Sequence, residues 1–257
     1  MSDARSDPVL VARGLAKSFD GLEAVKHVSF TLLAGEMLAM IGPNGAGKTT
    51  CFNLVNGQLR ADAGTVTLRG TRIDGKSPGA IARAGIARTF QVAATFASMT
   101  VRENVQVALL AHARKEHGVT ARAADLFARE ADALLARVGA AALAEQACGT
   151  LAYGDAKRIE LALALANAPK VLLMDEPTAG MPMAARGTVM RLARDRARQD
   201  AIAVLFTEHD MDVVFAHADR VIVLDRGSVI AEGPPEAIRA DPKVRAAYLG
   251  AESISAP

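Results

Sequence analysis

The nine residues "GPNGAGKTT", Gly42 to Thr50, constrain this chain more than any other feature. They match the pattern G-x-x-x-x-G-K-[ST], with Gly42, Gly47, Lys48 and Thr49 at the fixed places, between the apolar run "MLAMI" and a helix-like segment, "TTCFNLVNG". A strand that turns through glycines into a helix presents a concave row of backbone N–H groups, and the first helical turn adds its own unpaired donors. The loop Gly42-Pro43-Asn44-Gly45-Ala46-Gly47 can therefore wrap phosphate oxygens. Lys48 sets a positive charge against them, and Thr49, followed by Thr50, offers a hydroxyl to Mg²⁺. The bland alternative is a glycine turn at a helix start, but the lysine, the threonine and the preceding strand are all in place.

The rest of the chain reads as an α/β protein around that loop. "VLVARGLAKSF" and "VKHVSFTLL", the second with Val28, Phe30 and Leu32 alternating, make the N-terminal part β-rich. From about Thr100 to Val138 the period changes: Val101, Val105 and Leu109 form one stripe, and Phe127, Ala131, Leu134 and Val138 another, as on helices. "KVLLMDE" and "AIAVLFTEHD" are short apolar runs that each follow a helical stretch, the pattern of parallel strands covered on both faces. "RVIVLDRGSVIAEG" predicts a hairpin turning near Asp225-Arg226-Gly227, and "AESISAP" a loose tail.

Bulk composition mainly excludes. A chain of 257 residues with 30 Lys+Arg against 28 Asp+Glu gives no general electrostatic case for nucleic acid or an anionic membrane. Its polar start and the lack of any long apolar run argue against secretion and membrane spanning. Cys51 and Cys148 stand apart without CxxC spacing, which suggests neither a disulfide framework nor a zinc site and suits a reducing cytoplasm.

A second constellation closes the strand Val171–Met174. Asp175 is placed for a direct or indirect contact with Mg²⁺, and Glu176 beside it can orient a water as general base. A charged turn after a buried strand is the plain alternative for this pair taken alone.

Together "GPNGAGKTT", Gln91 in "RTFQ", "LAYGD", "VLLMDEPTAG" and His209 in "TEHD" occur in the order found in ATP-binding-cassette (ABC) ATPases, and the chain resembles that family over nearly its whole length. The resemblance implies a P-loop NTPase of the ABC type occupying residues 1–257 as one domain. Its nucleotide-binding core with the β subdomain would be 8–91 and 151–250, its helical subdomain 92–150, and its tail 251–257. It further implies ATP and Mg²⁺ as ligands. Phe19 would stack on adenine, Lys48 and Thr49 would hold phosphates and metal, Gln91 would sense metal and attacking water, Asp175 would hold Mg²⁺, Glu176 would be the base, and His209 would touch the γ-phosphate. For His27, His112, His117 and His217 the expectation is a surface position.

In the family the segment matching "LAYGD" serves the phosphate loop of a partner ATPase subunit, which closes head to tail on the first. Leu151, Ala152, Tyr153, Gly154 and Asp155 stand where the usual pattern is Leu-Ser-Gly-Gly-Gln. Ala152 lacks the hydroxyl that would donate to the γ-phosphate. Asp155 adds negative charge near it unless it points away or is neutralised by Lys157 or Arg158, with a short helix expected from about Asp155. The loop after the carboxylates has Pro182 where the family usually has Asp. These departures imply a recognisable but impaired signature beside an intact phosphate loop and Glu176.

Within the family, "AGM", "TEHDMDVV" and "AAYLG" are similar to the ATPase subunits of branched-chain amino acid importers. ATPases for lipid or lipopolysaccharide export and for urea import share parts of these marks, and a soluble, permease-free ABC protein is the alternative of a different class. The implied partners are membrane permease subunits, a second ATPase subunit, identical or paralogous, and indirectly a substrate-binding protein, at the cytoplasmic face of the membrane. Phe96 and Met99, apolar side chains in a loop ahead of the first middle helix, are candidates for the permease contact.

Overall fold

The computed structural model describes residues 7–89, 95–113 and 126–249. The N-terminal alternating segments form β1 (Pro8–Phe19) and β2 (Leu22–Leu33), antiparallel and joined across Asp20-Gly21. Both turn residues have positive φ, 49° and 85°, as a tight two-residue hairpin turn demands. The strand β3 (Met37–Ile41) leads through the glycine loop into α1 (Lys48–Val55). The chain returns as β4 (Ala63–Leu68) and β5 (Thr71–Arg72), then α2 (Pro78–Ala84) and β6 (Ile86–Thr89).

The middle segment supplies α3 (Val101–Ala113) and α4 (Ala128–Arg137). The sequence "TVRE" starts α3 with a reciprocal cap: the Thr100 N–H donates to Glu103 Oε2 at 2.7 Å, and the Glu103 N–H donates to Thr100 Oγ1 at 3.2 Å. Val101 and Val105 of the first predicted stripe and Ala131, Leu134 and Val138 of the second are buried. There follow α5 (Tyr153–Leu165), β7 (Val171–Asp175), α6 (Met183–Asp200), β8 (Ala203–Thr207) and α7 (Met211–His217). The described chain closes with the hairpin β9 (Arg220–Asp225) and β10 (Ser228–Gly233), then α8 (Pro235–Ala240) and α9 (Pro242–Leu249).

The strands sort into two sheets, one in the order β2-β1-β4-β5 and one in the order β10-β9-β3-β8-β7-β6. The run "MLAMI" follows two strands of the first sheet in sequence, yet β3 lies inside the second, parallel to both β8 and β9. Its five residues are all buried, as are the five of β7 and the five of β8, which is why these strands read as unbroken apolar runs. Alternate residues serve different cores. Met37, Ala39 and Ile41 face the side packed by α3 to α7, with Leu172, Met174, Val204 and Phe206. Leu38 and Met40 face the side shared with α1 and the first sheet, with Leu173, Leu205 and Phe52.

This order decides where the reactive groups meet. The strands β3, β8, β7 and β6 are adjacent and parallel, so the loops leaving their C-terminal ends lie along one edge of the sheet. That edge receives the phosphate loop after β3, Glu208 and His209 after β8, and Asp175 and Glu176 at the end of β7. Among the described histidines, His27 and His112 are exposed as expected, but His217 is half-buried at the end of α7. Burial there lowers its pKa, with Arg194 and Arg191 adding to the effect.

Candidate functional site

The phosphate loop is glycine-built because its backbone lies against neighbouring backbone. A Cβ at Gly42 would fall 2.2 Å from the carbonyl oxygen of Leu224 in β9, and one at Gly47, where φ is 101°, 2.4 Å from that of Ala24 in β2. The loop is closed by Ala46 N–H donating to Pro43 O at 3.1 Å and Gly227 N–H donating to Ala46 O at 3.1 Å. Asn44, Gly45 and Thr49 are exposed, Thr50 is half-buried, and no side chain caps the N-terminus of α1. Its leading N–H groups remain available to an anion.

Lys48 is buried and folds back over the loop, donating from Nζ to Gly42 O at 2.6 Å and Pro43 O at 3.0 Å. Burial lowers its pKa, while the charges of Glu176 and Asp175 act the other way. The electrostatics therefore tie loop and carboxylates into one site, although more than a hundred residues separate them in sequence.

Asp175 has both oxygens engaged. Thr207 donates its hydroxyl to Oδ1 at 2.7 Å, and Arg88 pairs with Oδ2 at 2.7 Å. Arg88, on β6, also reaches Asn53 Oδ1 at 2.7 Å and Gln58 Oε1 at 2.9 Å, so one guanidinium joins the carboxylate to α1 and the turn after it. Among the described residues no cluster of three or more His, Cys, Asp or Glu could hold a metal. The buried Asp175 carboxylate and the exposed Thr49 hydroxyl at the start of α1 are oxygen donors of the kind Mg²⁺ uses, which takes most of its remaining ligands from phosphate and water.

Glu176 has φ of 48°, a left-handed conformation costly for a side chain with a Cβ. Its N–H is held by Thr207, at 3.1 Å from Oγ1 and 3.2 Å from the carbonyl, and its Oε1 lies 2.9 Å from His209 Nε2. Behind this pair the buried Glu208 accepts from the N–H and the hydroxyl of Thr178, each at 2.7 Å. Burial raises the Glu208 pKa, the Thr178 hydrogen bonds and the His209 N–H oppose the rise, and the Glu176 charge adds to it. Gln91 lies outside the described residues. Phe19 ends β1 with 42% of its surface exposed, outside both cores, and Lys17 Nζ stands 5.5 Å from its ring centroid.

The segment Leu151–Asp155 opens α5, which begins at Tyr153, two residues before the expected start. Ala152 is its N-cap and supplies no side-chain hydrogen bond. Asp155 pairs with Arg158, one of the two neutralising partners foreseen, while Lys157 makes a buried ion pair with Glu160 at 3.0 Å. Tyr153, whose ring packs by Gly180, donates its hydroxyl to Ala179 O at 2.9 Å, which ties this helix start to the loop after Glu176. Among the described residues no hydrogen bond joins 151–155 to the phosphate loop of the same chain.

A groove of about 440 Å³ runs between β6 with α2 on one side and α3 with α5 on the other. Phe96, Ile81, Ala108 and Leu163 give it an apolar lining, and Arg88 and Glu160 its charges. Phe96 is 56% exposed at its rim. Its backbone is clamped by the buried Asn104, which accepts from the Phe96 N–H at 2.8 Å and donates to its carbonyl at 3.1 Å. Met99 is half-buried in the same loop.

Arg88, Thr207, Glu208 and Thr178 are parts of this site that the sequence reading did not single out. A usable signal existed for Arg88 alone: a charged residue in a short strand just before Gln91.

A phosphate loop leaving a central parallel strand, with paired acids at the end of a nearby strand, defines a nucleotide-binding α/β protein of the P-loop class. The chain belongs to the ABC transporter family, whose model matches residues 25–179, and a second model, the branched-chain amino acid ATP-binding cassette transporter, matches residues 228–253. It is 38% identical over 254 residues to the high-affinity branched-chain amino acid transport ATP-binding protein LivG of Salmonella typhimurium, covering 95% of this chain and 99% of the relative. BraF of Pseudomonas aeruginosa, a protein of the same description, is 36% identical over 252 residues, again with 95% and 99% covered. Among solved structures, the ADP conformation of MJ1267, an ATP-binding cassette of an ABC transporter, superposes with a TM-score of 0.84 at 29% identity, covering 95% of this chain and all of that one.

Proposed function

We propose that this chain is the Mg²⁺-dependent ATPase subunit of an importer of branched-chain amino acids, acting at the cytoplasmic face of the membrane with permease subunits and a second ATPase subunit. The observation that carries the reading is the convergence of Lys48, Asp175, Glu176 and His209 on one sheet edge around a glycine-built cradle. The full-length similarity to LivG and BraF supports the cargo. No helix among the described residues is long and apolar enough to cross a membrane, in keeping with a permease supplied by other chains.

In this reading Lys48 exchanges the carbonyls of Gly42 and Pro43 for β- and γ-phosphate oxygens, and the free N–H groups of α1 receive the rest. Phe19 offers a ring face to adenine. Mg²⁺, when bound, would supply charge neutralisation at the phosphates, and Thr49 and Asp175 would hold it, with Gln91 assigned to it by the family resemblance alone. Glu176, fixed through its N–H by Thr207, takes the proton of the attacking water, and His209 orients that carboxylate and reaches the γ-phosphate. The segment Leu151–Asp155, which among the described residues makes no hydrogen bond to its own phosphate loop, completes the site of the second ATPase subunit. The apolar groove rimmed by Phe96 receives a permease segment.

Reconstitution tests the whole. The chain, its genomic-neighbour permeases, any second ATPase and the binding protein in proteoliposomes should accumulate leucine, isoleucine or valine only with ATP and Mg²⁺ inside the appropriate compartment. ATP-driven urea uptake or lipid extraction by the same assembly would reassign the cargo, and a stable soluble complex that excludes the permeases would remove the transport role.

A further inference from the structure

We propose that Arg88 is a positioning residue that holds the Asp175 carboxylate as a counter-charge and yields it to Mg²⁺ when metal and ATP bind. The inference rests on the proposed Mg²⁺-ATP site and assigns a role to the first residue of "RTFQ", a segment in which only Gln91 was given one.

Three observations point the same way. Asp175 is buried, and Arg88 provides its ionic partner, at 2.7 Å, while the Thr207 hydroxyl takes the other oxygen. A cation beside a buried carboxylate compensates for the solvating water that burial removes, and Arg88 occupies that place. The cation is also held from behind: Asn53 and Gln58 accept from the other guanidinium nitrogen, so Arg88 has a place to remain when Oδ2 is given up. Finally, Arg88 lines the groove between the two helical flanks, and β6 on which it sits runs in register with β7, Arg88 opposite Leu173. One guanidinium thus touches the metal carboxylate, the phosphate-loop helix and the groove. Lysine could supply the charge but not the fork that spans Asp175 and Asn53 together.

A counter-charge that must be displaced weakens metal binding. Removing it should therefore tighten the grip of the site on Mg²⁺, whereas damage to a merely structural ion pair would weaken or leave unchanged every ligand's binding. The test uses the full-length chain and a fluorescent ATP analogue titrated with Mg²⁺, with nucleotide binding in EDTA as the metal-free reference. Arg88→Met should lower the Mg²⁺ midpoint by about tenfold, the scale on which a neighbouring opposite charge alters a carboxylate. It should also enlarge the rise in melting temperature that Mg²⁺ with nucleotide produces. In an Asp175→Asn background the same substitution should no longer move the Mg²⁺ midpoint, since the two residues act through one contact. An unchanged or raised midpoint in Arg88→Met overturns the proposal, as does an equal shift in the Asp175→Asn background. If Arg88→Met does not fold, Arg88→Gln, which removes the charge but keeps a polar side chain toward Asp175 and Asn53, is read the same way, with a shift toward tighter metal binding expected and none overturning the idea. Wild-type nucleotide binding that ignores Mg²⁺ would instead refute the metal-dependent reading of the site itself.

Discussion

Glu176 Oε1 and His209 Nε2 stand 2.9 Å apart across the ends of the adjacent strands β7 and β8. The contact brings together two residues far apart in sequence, and it aims the carboxylate from a backbone conformation that Thr207 holds in place.

Glu176→Gln keeps the size of the side chain and a hydrogen-bonding oxygen toward His209 but removes the proposed base. ATP binding should persist while turnover of the active complex falls by about two to four powers of ten, the usual weight of general base catalysis. Nucleotide binding and steady-state hydrolysis measured side by side decide it, and turnover near wild type would remove Glu176 from the mechanism.

Ala152 is the bare N-cap of α5. Ala152→Ser should stabilise that helix start by about 1 kcal/mol, a gain visible as a higher melting temperature of the chain alone. In a homodimer it should also raise turnover by about 10–100-fold, because a hydrogen bond to a charged phosphate is worth about 1.5–3 kcal/mol. With a paralogous ATPase whose signature serves the competent site, turnover should change far less. Assays with and without the neighbouring ATPase separate the two assemblies, and a melting shift with no gain in either shows that the missing hydroxyl does not limit hydrolysis.

Phe96 presents an exposed ring at the groove rim while Asn104 fixes its backbone. Phe96→Asp should weaken permease association by about tenfold or more, since a charge is excluded from the core of an interface. The melting temperature and nucleotide affinity of the isolated chain should stay near wild type. Pull-down with the permeases and a thermal melt are sufficient: a large drop in melting temperature would mean that the ring serves packing within this chain.

Glu208 should leave a signature in stability against pH. Its folded pKa lies above the ordinary 4.5, chiefly through burial. The folded chain therefore holds this proton more tightly than the unfolded chain. The Glu208 contribution favours folding most below about pH 4.5 and is lost as pH rises through the folded value. Glu208→Gln keeps an oxygen for both Thr178 donors and cannot titrate. Denaturant melts across about pH 5 to 8 should show a flatter profile for the variant than for wild type, with the gap widening toward alkaline pH. Parallel profiles would mean that Glu208 does not titrate in that window.

The parts of this architecture that were legible in sequence are those set by local chemistry. The glycine loop, the apolar strands β7 and β8, the turn of the β9–β10 hairpin and the two stripes of the middle helices each follow from residues within one turn or one strand of each other. Other features follow from pairings that no local pattern encodes. The apolar run of β3 gave a strand but not its partners, which come from the far end of the chain. Arg88 and Asp175 meet because β6 lies beside β7, and Tyr153 finds Ala179 because α5 packs over the loop after Glu176. The early start of α5 is a cap effect: Ala152 takes an extended conformation with φ of −62° and ψ of 149°, so the helix can begin at the next residue.

The placement of β3 also sets a clock on biosynthesis. The strand that carries the phosphate loop is made early, but its two neighbours, β8 and β9, begin at Ala203 and Arg220. At typical translation speeds the ribosome needs roughly ten to thirty seconds to pass from one to the other. For that interval β3 has neither ladder partner, and the nascent loop has neither the Leu224 carbonyl nor the Gly227 amide against which it closes. A growing chain therefore cannot trap nucleotide until nearly all of it has been made, and its most apolar strand must be kept from foreign edges, by chaperones or by the ribosome surface, until its own neighbours arrive.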